Sequence, residues 1–204
     1  APYLQLLQGS SKADLLFPVA AYNPMAKPPV VDQLNRLVAM GAEQIMEEVL
    51  QEINGVHADK NFGVSLNVAD DLLGGWTNRY TTDYDNRFKI NALVTRGFCT
   101  PIFWSSETFT PDLVRSRTRQ AIRRTLYWLE HGRPITLAQH LAQEEHATER
   151  SYQPANEMEQ AWREEQAATD DYAVIFNFLY GDEASASLGM EVFEWVEGPG
   201  YLLR

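Results

Sequence analysis

YAVIFNFLY, from Tyr172 to Tyr180, is the stretch whose reading decides the fold. It is apolar on both alternating faces, which suits a strand at the centre of a sheet, covered on both sides. Two earlier segments alternate in the same period. Phe62, Val64, Leu66 and Val68 are interleaved with Gly63, Ser65 and Asn67, and Phe88, Ile90, Ala92 and Val94 with Lys89, Asn91, Leu93 and Thr95. Each reads as a strand. Phe98 to Trp104 extends the second only as an edge, because Pro101 cannot donate to a ladder, and Met190 to Val196 supplies a last strand.

Helices fill the space between. The run from Asp32 to about Ile53 carries Leu34, Leu37, Val38, Ile45, Met46, Val49, Leu50 and Ile53 at helical spacing, with Asn54-Gly55 as the stop. Thr110 caps a helix to His131, with Pro111 at its first position and Asp112 against the positive end of its dipole. Thr136 with Gln139, and Asn156 with Glu159, mark capping boxes for helices over 136–151 and 157–168. Met158, Ala161 and Trp162 form the apolar stripe of the second.

The order is helix, two strands, three helices, two strands, which is not a regular βαβ alternation. It predicts an α+β fold: a mixed or antiparallel sheet of about four or five strands, with three or four helices packed mainly on one side. Residues 1–31 hold five of the ten prolines and read as a Pro-rich arm with an edge strand at Leu15 to Ala21. Residues 32–204 read as a single domain.

Composition narrows the function classes. With 45% hydrophobic residues in 204, the chain can bury a proper core. A net charge of -11 opposes nucleic acid and anionic membranes, whose binding draws on clustered cations. No run of about 18 apolar residues can span a bilayer, and no secretory signal is seen. Cys99 is the sole cysteine, so no intramolecular disulfide and no multi-cysteine zinc site can form, and a cytoplasmic setting is expected.

The Thr110 helix carries an unusual charge pattern: Arg115, Arg117, Arg119, Arg123 and Arg124 fall within ten residues. Arg115, Arg119 and Arg123 form an i, i+4 row on one flank of an apolar stripe made by Val114, Thr118, Ala121, Ile122, Thr125 and Leu126. Such a row suits an anion or acidic partner; equally, it can meet the protein's own acids, nine of which lie between Leu141 and Asp171. A homodimer follows if the row docks on the acidic region of a second copy.

The longest gap between predicted strands, Asp70 to Asn86, has seventeen residues, DDLLGGWTNRYTTDYDN. A connection of that length in a compact domain is commonly functional. Gly74-Gly75 permits an unusual backbone just before Trp76, so that Trp76, Asn78, Arg79 and Tyr80 can be presented together, with Arg119 and Arg123 in support. Aromatic faces beside a guanidinium suit a small anionic or aromatic ligand. A first alternative is a hydrolase using a carboxylate-bound metal at Asp70, Asp71, Asp83 or Asp85, and a second is an assembly module built on the Arg-rich helix. His140 and His146 are six apart and face different ways, unlike an H-E-x-x-H pair. No nucleophile motif, P-loop or dinucleotide fingerprint is present, so no catalytic residue, metal ligand or cofactor is assigned.

Overall fold

The computed structural model describes residues 28–54, 62–72, 78–90, 94, 97–193 and 200–203. The expected edge strand at Leu15 to Ala21, the Gly74-Gly75 pair and most of the expected arm lie outside these residues. The chain divides into two compact units, Ala1–Leu129 and Glu130–Arg204.

The first unit opens with helices α1 (Pro28–Ala39) and α2 (Ala42–Asn54). The single helix expected from Asp32 is broken because Gly41 takes a positive φ of 78°. Short strands follow: β1 (Gly63–Val64) and β2 (Asn67–Ala69), then helix α3 (Arg79–Phe88), then β3 (Phe98–Cys99) and β4 (Ile102–Trp104). Both pairings are parallel, β1 with β3 and β2 with β4, and the register stays constant from Gly63↔Phe98 to Ala69↔Trp104. Pro101 sits at the interruption, where a ladder N–H is missing.

This overturns the expected sheet. The protein is mostly helical, with two short two-stranded parallel pairings in place of a four- or five-stranded mixed or antiparallel sheet. Parallel neighbours cannot be joined by a tight turn and need a crossover of a dozen or more residues. The segment read as a seventeen-residue loop holds that crossover, α3. Phe88, expected to open a strand, ends α3 and is fully buried, with Tyr84 one turn earlier at a ring separation of 5.0 Å. Residues 91–93 and 95–96 lie outside the described residues, and Val94 is helical.

Helix α4 (Pro111–His131) follows, and its start is as read: Leu113 N–H donates to Thr110 Oγ1 at 3.1 Å. Its face Val114, Thr118, Ala121, Ile122, Thr125 and Leu126 is buried. Val114 joins Leu37, Met46, Val68 and Phe103 in one core cluster; Ala121, Ile122 and Leu126 join Val49 and Cys99 in another.

The second unit contains α5 (Leu137–Thr148), α6 (Glu157–Gln166), α7 (Tyr172–Tyr180), α8 (Asp182–Ser187) and a 3-10 turn (Tyr201–Leu203). The Thr136 and Gln139 capping box is present on both sides. Asn156 caps α6 through Glu159 N–H at 2.8 Å, but the Glu159 carboxylate turns inward to Tyr152 Oη and Ala155 N–H. Buried Glu159 therefore replaces Met158, which is exposed, on the inner side of α6. His140 is buried on α5, and its Nδ1–H donates to the Thr136 carbonyl at 2.8 Å. Burial lowers its pKa, helped by nearby Arg133 and opposed by that carbonyl and by Glu144.

YAVIFNFLY, expected as the central strand, is helix α7. Asp171 caps it, Oδ1 accepting from Ala173 N–H at 2.8 Å and Val174 N–H at 3.3 Å. Ile175 to Tyr180 are all buried, including Asn177, whose Nδ2 donates to Asp182 Oδ1 and Ser185 Oγ. A helix apolar all round belongs in an interior. Gly200 packs on the Tyr180–Gly181 backbone too closely to admit a Cβ. The expected last strand is absent over residues 190–193, and 194–196 lie outside the described residues. Among the described residues no helix is long and apolar enough to cross a membrane.

A cap exists only if this stretch is helical, so Asp171→Ala is expected to lower stability by about 1 kcal/mol while Asp171→Ser retains most of it. Urea unfolding curves of the two variants check this, and equal midpoints would count against the helix.

Candidate functional site

The site is built where β2 and β4 end side by side. Ser105 N–H extends the ladder to the Ala69 carbonyl at 2.9 Å, which brings Asp70-Asp71 against Ser105-Ser106-Glu107. Ligands of parallel sheets gather at such carboxyl ends, since the chain there turns away into crossovers.

The Asp71 carboxylate organises the cluster. Its Oδ1 accepts from Ser106 N–H at 2.9 Å and Ser105 Oγ–H at 3.3 Å; its Oδ2 accepts from Ser106 Oγ–H at 2.6 Å and pairs with Arg79 Nη1 at 2.6 Å. The side chain is only 4% exposed. Burial alone would raise its pKa, but the Ser106 hydroxyl and N–H, then Arg79, then Ser105, together hold it below the ordinary carboxylate range. Ser105 Oγ also lies 2.9 Å from Asp70 Oδ1, so two carboxylates converge on one hydroxyl.

Arg79 is the first residue of α3, positioned by Asn78, whose Oδ1 caps the helix through Thr81 N–H at 3.1 Å. Its guanidinium lies over the Trp104 ring at 5.2 Å, with Nη2 3.7 Å from Glu107 Oε1. Glu107 is gripped in turn by Arg117, at 2.5 and 2.9 Å, and accepts Trp104 N–H at 3.0 Å. Trp104 is buried, whereas the Arg79 side chain is 42% exposed. Among the described residues, the carboxylates of Asp70, Asp71 and Glu107 thus gather around the guanidinium groups of Arg79 and Arg117.

Of the residues singled out from sequence, Asn78, Arg79 and Tyr80 come together at the start of α3, and Trp76 lies outside the described residues. Arg119 belongs elsewhere: its Nη2 pairs with Glu52 of α2 at 2.8 Å, and Arg123 lies one turn further along α4. Arg115 likewise meets Glu48 at 3.1 Å. The partners of Arg115 and Arg119 precede them in the chain, so these two members of the row that a homodimer would use are engaged within their own unit. Ser105, Ser106, Glu107 and Arg117 are site residues that the sequence reading does not single out as such, and Asp71 enters it only as a metal-ligand candidate.

Asp83 and Asp85 point to Arg87 and Lys89 along α3, at 2.5 and 2.8 Å. Among the described residues no three His, Cys, Asp or Glu side chains form a group able to hold a metal ion. Cys99 is buried, and burial pushes its thiol up to about 12 against the Thr125 hydrogen bond and Arg124, so it is no nucleophile at neutral pH. A cavity of about 10 Å³ beside Cys99, Thr100 and Thr125 has room for about one water.

Compared with known proteins, the chain matches no family model, no curated protein and no solved structure.

A carboxyl with a depressed folded pKa stabilises the fold above its unfolded value, about 3.9, and that contribution is lost as pH falls through the folded value. Ser106→Ala is expected to raise the Asp71 pKa toward 3.9 and shrink its share of the acid-side loss. Carboxyl carbon NMR titration reads this, and an Asp71 that titrates identically in both proteins would contradict the bonding described.

Proposed function

We propose that the first unit binds a small planar, aromatic ligand on the ledge formed by Arg79, Ser106 and Asp71. The observation that carries this reading is the state of Arg79. Its guanidinium rests over buried Trp104, its edge is engaged by Asp71 and Glu107, and 42% of the side chain remains exposed. A guanidinium fixed in this way has lost its torsional freedom before any ligand arrives, and its open side presents a flat cationic surface for stacking. Ser106 Oγ stands beside it as a hydrogen-bonding group.

The sequence alone allowed an anionic or an aromatic ligand. The pairing of Arg79 favours the aromatic one, because an approaching anion meets a guanidinium already engaged by the Asp71 and Glu107 carboxylates, which repel it. No chemical step is proposed.

A thermal-shift panel of indole, adenosine, benzoate and citrate separates the alternatives. A ring compound at about 100 times its Kd should add roughly 2.7 kcal/mol, a shift of a few degrees, and Arg79→Ala should erase it. Stabilisation by citrate but not by the ring compounds, or an unchanged response in Arg79→Ala, would refute the proposal.

A further inference from the structure

A second surface of the first unit lies apart from this ledge: an open groove of about 550 Å³ between α1 and α2, floored by residues 64–66. Its apolar lining is Leu34 and Val38 of α1, Met46 and Leu50 of α2, and Val64 and Leu66. Leu34 and Val38 are 38% and 53% exposed, and Val31, at 48%, continues their stripe at helical spacing. Large aliphatic side chains left open along one helix face mark an interaction surface. The rim adds charge of one sign, from Glu43 and Glu47, an i, i+4 pair on α2.

Helix α2 itself shows what such a rim takes. Its other acidic pair, Glu48 and Glu52, is also spaced i, i+4, and receives Arg115 and Arg119 of α4, again i, i+4, at 3.1 and 2.8 Å. Beside those ion pairs, Ala121 and Ile122 of α4 share a core cluster with Val49. One flank of α2 therefore already docks an amphipathic helix through an apolar seam edged by paired arginines. The opposite flank repeats the elements of that arrangement, with an apolar groove and a Glu43/Glu47 row; among the described residues Glu43 has no ion pair, and Glu47 accepts only the neutral amide of Gln51, at 2.8 Å on the exposed surface.

We propose that the α1–α2 groove docks an amphipathic helix of a partner protein, its apolar stripe on Leu34, Val38, Met46 and Leu50 and an i, i+4 pair of Arg or Lys on Glu43 and Glu47. Helix-in-groove recognition anchors apolar side chains at i, i+3 or i+4, and i+7, and the charged rim sets orientation and partner choice. A second copy is a poorer occupant, because each chain carries a net charge of -11 and brings further acid to an acidic rim.

The probe is a fluorescein-labelled synthetic helix with Leu at i, i+3 and i+7 and Arg in the i, i+4 row, beside a control in which those arginines are Glu, each titrated into the full chain. The Arg peptide should bind about tenfold or more tighter than the Glu peptide, and weaken as salt is raised. Glu43→Lys with Glu47→Lys, and separately Val38→Asp, should each cost about tenfold or more, with unchanged circular dichroism and with amide shifts in the free protein confined to the substituted sites. All three positions are exposed, so folding should survive. Absence of binding, equal binding of the two peptides, or indifference to the substitutions would overturn the proposal. So would a sedimentation mass of two chains lost in Val38→Asp, or methyl NOEs from residues 1–27 to Leu34 and Val38, since these would give the groove to a second copy or to the chain's own first residues.

Discussion

One carboxylate holds the first unit's strand ends in place. Asp71 follows β2, and all four of its described acceptor contacts go to Ser105, Ser106 and Arg79, residues that belong to the end of β4 and the start of α3. A parallel pair only two or three residues long is weak on its own. Fastening the end of one strand to the backbone and hydroxyls after the other supplies bonds that the short ladder lacks. The same carboxylate draws in Arg79 and so fixes where α3 begins, which in turn places the crossover between the strands.

The arginines of α4 act in the same economical manner. Arg117 reaches Glu107 and the Ile102 carbonyl, bracing β4 from the side, while Arg115 and Arg119 bind α2 through Glu48 and Glu52. These surface pairs are individually worth little, roughly 0–1 kcal/mol. Their importance is in register: the apolar seam of Val49, Ala121, Ile122 and Leu126 supplies the energy, and the paired charges select one alignment of the two helices. That division of labour makes the Glu43/Glu47 flank of α2 readable as a docking edge.

Much of the helical framework was legible in the sequence because caps and periodicity are local. Thr110 and the Thr136–Gln139 box form as their side chains dictate, as does the buried face of α4. Tyr172 to Tyr180 reads as a strand because a run of nine whose one clearly polar residue, Asn177, is itself buried does not reveal its period. The local signals that identify it were its neighbours: Asp171 immediately before it, a capping residue, and Gly181 immediately after, at φ 87°. The parallel pairing left less trace still. Strands of two and three residues carry almost no pattern, and a crossover helix rich in Thr, Asp and Asn resembled a loop. Of the site, Arg79 could be picked out by its aromatic neighbours. Asp71 resembled an ordinary turn acid, and nothing in Ser105-Ser106-Glu107 announces a partner more than thirty residues earlier in the chain.

A double-mutant cycle on Asp71 and Ser106 tests the central claim most directly. The unfolding free energies of Asp71→Ala, Ser106→Ala and the double variant should be non-additive by about 0.5 kcal/mol or more, because either change alone breaks the same fastening. Costs that add to within about 0.3 kcal/mol would mean that the two residues act independently, and that the strand ends are held by something else.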